Sequence, residues 1–101
     1  MKILLSLFIG LVFISGNAAA ADPCASLLCL VGKLSGQGGG SSCNQPIADY
    51  FNLVGFKNGH FSDGRTQGLR DNYLNGCNSS GNEQYKSQIS NNYGRLRNTP
   101  F

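Results

Sequence analysis

Ile3 to Ile14 is an apolar run broken only by Ser6 and Gly10, preceded by Lys2 and followed by the small residues of Asn17 to Ala21. A positive start, a short apolar stretch and a small-residue end form the layout of a secretory signal peptide. Ala18 with Ala20, or Ala19 with Ala21, supplies the small side chains that the signal peptidase requires. The sequence therefore predicts a leader over residues 1–20, cleaved after Ala20 or Ala21. The run falls well short of the roughly 20 apolar residues of a bilayer span. Asp22 and Pro23 before Cys24 do not suit lipoprotein processing.

Beyond Ala21 the apolar positions take a helical rhythm. Asp22 and Pro23 read as an N-cap and a first-turn proline, where the missing N–H costs nothing. Leu27, Leu28, Leu30, Val31 and Leu34 then cover most of a helix circumference, which predicts a central, buried helix ending near Gly36. The Gly- and Ser-rich segment from Ser35 to Ser42 reads as a loop, and it lacks the strand and G-K-S of a phosphate-binding loop. A second short helix, Ile47 to about Asn52, presents Ile47, Tyr50 and Phe51 on one side. Asn58-Gly59 between apolar runs is the strongest short hairpin signal. A third helix, capped by Asp63 or Thr66 and stopped by Gly76, carries Leu69, Tyr73 and Cys77 at intervals of four. The fourth, Glu83 to Tyr93, repeats that interval in Tyr85, Ile89 and Tyr93, with Gly94 as its C-cap. Residues 95–101 read as a loose tail. The expected fold is mainly α: a small disulfide-stapled bundle of three to four short helices over residues 21–94, with one small hairpin.

Composition changes this picture in two ways. The chain has 101 residues, 14 of them glycine, 4 cysteine and none tryptophan. Without the leader, about 80 residues remain, too few for a large catalytic architecture and few enough that a core of this size needs a staple. Assigning Lys2 to the leader also leaves 7 basic and 5 acidic side chains, a formal charge of +2. That is too little to imply a nucleic-acid partner.

All four cysteines, Cys24, Cys29, Cys43 and Cys77, follow the leader. An even number in a small exported chain predicts disulfides, whereas zinc ligands come as close pairs and His60 is the only histidine. Residues five apart on a helix have Cα atoms roughly 8.5 Å apart and point about 140° away from each other. A disulfide needs less than about 7 Å. Cys24 with Cys29 is therefore disfavoured, and one of the two pairs with Cys43, the other with Cys77. An antiparallel helix ending near Cys77 favours Cys24 with Cys77 and Cys29 with Cys43; the crossed arrangement stays open.

Candidate chemistry is sparse. His60, beside Gly59 in a turn, is a poor general base for any nucleophile. Asp22 and Asp63 read as caps, and Asp49, Asp71 and Glu83 as residues of polar helix faces. No catalytic, metal or cofactor-binding set is expected. Asn78-Ser79-Ser80 matches the glycosylation triplet, which matters only in a eukaryotic secretory pathway. Arg65, Arg70, Arg95 and Arg97, with Tyr73 and Tyr93 nearby, read as solvated helix faces. The aromatics Tyr50, Phe51, Phe56 and Phe61 lie within twelve residues. Those left outside the core would form an apolar docking patch, so Tyr50, Phe51, Phe56, Phe61, Arg65 and Arg70 form the candidate partner surface.

Asp22-Pro23-Cys24, Leu28-Cys29-Leu30-x-Gly32, Cys43-Asn44, Ile47-x-x-Tyr50-Phe51, Phe61, Arg65-Thr66, Arg70, Leu74 and Cys77 occur in an order that resembles the TrbM/KikA family of conjugal transfer proteins. The similarity runs from Asp22 to about Tyr93 and is most specific in the D-P-C and L-C-x-x-G segments. The resemblance implies a small periplasmic component of plasmid conjugation, encoded with mating-pair formation or type IV secretion genes. Its partner would be a protein of that apparatus, with no direct nucleic-acid contact and membrane contact only through an uncleaved leader. It supplies no catalytic residues and no cofactor. The expected function is a non-enzymatic accessory of conjugal DNA transfer. The alternative is a secreted effector or toxin that kills recipient bacteria.

Overall fold

The computed structural model describes residues 21–37, 39–78 and 81–101, so the expected leader and Ser79 and Ser80 of the glycosylation triplet lie outside the described residues. The first helix, α1 (Pro23–Leu34), starts as its sequence dictates. Asp22 is extended, its carboxylate accepts the Cys24 N–H at 3.0 Å, and Pro23 occupies the first turn. Gly36, at φ 82°, ends it by turning the chain in the left-handed region that favours glycine. Leu27 and Leu30 are fully buried, but Leu28 is 71 % exposed, so α1 is central without being apolar-packed all round.

A 3₁₀ turn (Gly40–Cys43) leads into α2 (Asn44–Phe51), which buries Ile47, Tyr50 and Phe51. The hairpin forms at Asn58-Gly59, pairing β1 (Phe56–Lys57) with β2 (His60–Phe61) so that Phe56 faces Phe61 and Lys57 faces His60. Asn58 at φ 55° and Gly59 at φ 80° give the doubly positive turn that matches strand twist.

The third helix, α3 (Asp63–Leu74), is capped by neither Asp63 nor Thr66. Ser62 does so, accepting the Arg65 N–H at 3.2 Å, while Asp63 is the first helical residue. Thr66 is buried and used otherwise: its hydroxyl accepts the Gly55 N–H at 2.8 Å and donates to the Ser62 carbonyl at 2.7 Å. A Cβ on Gly55 would stand 2.6 Å from the Arg65 Cβ, so only glycine allows this approach of hairpin to helix. The buried stripe of α3 is Thr66, Arg70 and Leu74, and Leu69 faces solvent at 44 % exposure. In α4 (Glu83–Tyr93) the buried positions are Lys86 and Ile89, and Tyr85 is exposed. Of the two expected stripes, Cys77 and Ile89 are buried and Tyr73 and Tyr93 pack against the core, whereas Leu69 and Tyr85 are exposed because the polar Thr66, Arg70 and Lys86 take inward positions that hydrophobicity passes over.

Helix α1 contacts each of the other three helices. At their junction the Ser26 hydroxyl lies 2.7 Å from the Pro46 carbonyl, to which it donates, and 2.8 Å from the Tyr73 hydroxyl, joining α1 to α2 and α3. Burial pushes the Tyr73 phenol above its ordinary pKa, which the Ser26 hydrogen bond partly offsets. Two disulfides complete the assembly: Cys24–Cys77 with Cα atoms 4.8 Å apart, and Cys29–Cys43 with Cα atoms 5.6 Å apart. Gly39 makes room for the second, since any side chain there would run into the Cys43 sulfur.

Tyr50 is fully buried and its hydroxyl has no hydrogen-bond partner among the described residues. Burial raises its pKa far above the ordinary 10.0; Arg70 opposes the shift and Asp71 adds to it. A buried hydroxyl without a partner costs about 1–3 kcal/mol. Tyr50→Phe is expected to stabilise the fold by about 1 kcal/mol in urea denaturation at pH 7. With a folded pKa above the unfolded one, Tyr50 also loses stability for the protein as pH rises past about 10, where only the unfolded chain ionises. The phenylalanine variant should show a shallower alkaline decline, and an unchanged decline would contradict this account.

Candidate binding groove

Three residues of the expected partner surface are interior. Tyr50 and Arg70 have no solvent exposure and Phe51 is 5 % exposed. Arg70 is a structural cation of the core and not a surface arginine. Its Nε donates to the Leu53 carbonyl at 3.0 Å, and one terminal nitrogen donates to the Phe51 carbonyl at 3.0 Å. The other reaches the carbonyls of Tyr93 (2.9 Å), Gly94 (3.3 Å) and Leu96 (2.6 Å). Phe51 and Tyr93 are the last residues of α2 and α4, so one guanidinium satisfies the carbonyl ends of two helices, where the helix dipole is negative. The rings of Tyr50 and Phe51 lie 5.3 and 4.9 Å from its centre. Burial lowers the Arg70 pKa, opposed by Tyr50. A guanidinium nevertheless stays charged throughout the accessible pH range.

The other three residues remain on the surface. Phe56 is 49 % exposed, Phe61 is half-buried and Arg65 is exposed at the start of α3. His60 is exposed on the hairpin. No group of three or more His, Cys, Asp or Glu that could hold a metal ion occurs among the described residues.

The segment read as a loose tail folds back instead. The Leu96 carbonyl is held by Arg70, and Phe101 packs edge-on against Phe51 and Tyr93, with ring centroids 6.0 and 5.3 Å away. Arg97 places its guanidinium 5.5 and 5.3 Å from the rings of Phe56 and Phe61, clipping the tail to the hairpin. Lys33, in the last turn of α1, sits 4.8 Å above the Phe101 ring. Between this tail and α2 lies an open groove of about 490 Å³, lined in part by Ile47 and Phe51, by Lys33 and Arg97, and by Phe101. Asn44, Asn52 and Asn98 add amide side chains, and no acidic residue lines it. Cations over an apolar floor with amide groups at hand are equipped to bind: they can fix carboxylates, cover an apolar side chain and hydrogen-bond a peptide backbone.

Lys33, Ile47, Arg97 and Phe101 were absent from the expected surface. A signal existed for the tail, in the aromatic Phe101 and apolar Leu96 among polar residues, yet nothing local indicates what they pack against. Among the described residues, no helix is long and apolar enough to cross a membrane. Compared with protein-family models, curated proteins and solved structures, the chain matches none.

Proposed function

We propose that this chain is a small exported accessory protein of bacterial conjugal DNA transfer, non-enzymatic, which binds a protein of the type IV secretion apparatus through the groove between α2 and the tail. The observation that carries the binding role is the groove itself, an apolar floor with two cations and no acidic residue in its lining. The two disulfides support an oxidising, non-cytoplasmic setting, which for this reading is the periplasm. The motif order from Asp22 to Tyr93 supports the choice of machinery.

The test is deletion of the gene in a donor strain, with transfer frequency and recipient survival scored separately. Loss of transfer, restored by the gene supplied in trans, is the expected result. Unchanged transfer with improved recipient survival would replace this reading with the effector one.

A further inference from the structure

We infer that the groove takes an acidic segment of a partner protein, with carboxylates on Lys33 and Arg97 and an apolar side chain seated against Phe51 and Phe101. The inference rests on the binding role proposed above and adds the chemistry of the partner.

Lys86 is paired with Glu83 at 3.1 Å, Arg95 with Asp63 at 3.5 Å, and Arg70 is enclosed by carbonyls. Lys33, Lys57, Arg65 and Arg97 have no carboxylate within 4.0 Å among the described residues, and of these four only Lys33 and Arg97 line the groove. Each is also held over an aromatic face, Lys33 on Phe101 and Arg97 on Phe56 and Phe61. Such positioning reduces the side-chain freedom lost when an anion arrives. The apolar floor separates this site from a plain phosphate-binding patch, and the amides of Asn44, Asn52 and Asn98 suit the backbone of an extended peptide. Anionic membranes and nucleic acids are met by denser cationic clusters than two residues.

The experiment is an NMR titration of the ¹⁵N-labelled, oxidised protein with the pentapeptide Asp-Glu-Phe-Asp-Glu, blocked at both ends, and with its Lys-Lys-Phe-Lys-Lys counterpart. The acidic peptide should shift amides of residues 44–52 and 97–101, weakening as salt is raised, and the basic peptide should not. Lys33→Glu and Arg97→Glu should each weaken binding about tenfold. Arg65→Glu, whose arginine lies outside the groove, should leave it unchanged. Vesicles of phosphatidylglycerol and free inorganic phosphate serve as the other arms. Equal response to both peptides, binding only to vesicles or phosphate, insensitivity to both groove reversals in variants that keep the wild-type amide spectrum, or no shift at all would overturn the inference. A deletion strain that loses transfer while no peptide binds would discard the acidic segment and keep the accessory role. Unchanged transfer would discard that role whatever the peptide does.

Discussion

Arg70→Met is expected to remove about 3–5 kcal/mol of stability, as measured by urea unfolding followed by circular dichroism with both disulfides intact. Methionine fills much of the same volume but donates nothing, so five carbonyls, those of Phe51, Leu53, Tyr93, Gly94 and Leu96, lose their common donor inside the core. Each buried acceptor left without a partner costs on the order of 1 kcal/mol or more, and some will recruit water. Against a total stability of about 5–10 kcal/mol for a domain this small, the variant should be partly unfolded at 37 °C. Arg70→Lys should restore little of the loss, because a single ammonium has three donors at one point and cannot span two helix ends. A loss below about 1 kcal/mol in the methionine variant would mean that the carbonyl cluster is satisfied in another way.

The second large effect concerns the cross-links. In the chain-entropy picture, the Cys24–Cys77 bridge, closing 53 residues, contributes about 4 kcal/mol, and the Cys29–Cys43 bridge, closing 14, about 3 kcal/mol. The paired substitution Cys24→Ser with Cys77→Ser should therefore lower the urea midpoint more than Cys29→Ser with Cys43→Ser. Removing both bridges should abolish cooperative unfolding at 37 °C, because their sum rivals the whole net stability. Intact mass before and after reduction should differ by four hydrogens. Retention of a sharp thermal transition without either bridge would show that the core and Arg70 suffice.

These cases mark where the sequence was informative. Asp22-Pro23 and Asn58-Gly59 act through their own backbone conformation and capping chemistry, so they announce α1 and the hairpin without reference to anything distant. Helix geometry opposes Cys24 with Cys29, but the choice between the two remaining pairings depends on the end of α3 lying beside the start of α1, which places Cys77 against Cys24. Arg70 was not legible, since an arginine on a polar helix looks like a solvated one until the ends of α2 and α4 are placed around it. Its spacing with Thr66 and Leu74, at intervals of four, did hold the information, but a hydrophobic period passes over Thr and Arg. The groove was hidden for a related reason. Lys33 and Arg97 are 64 positions apart and meet only because Leu96 and Phe101 pin the tail to the core.

The covalent map also sets an order of loosening. Both bridges start from α1: one fastens the segment ahead of α2, the other the segment behind α3. Helix α4 has no such tether and is held by Ile89, by Gln67 reaching Ser90 at 2.9 Å, and by Arg70 at its end. It is therefore the helix free to lift away while the rest stays cross-linked. Because the groove wall from Arg97 to Phe101 continues from α4, such an excursion would dismantle the groove as well. An occupant bridging Lys33 and Arg97 would act as a reversible third clasp, closing a part of the molecule that the cysteines leave open.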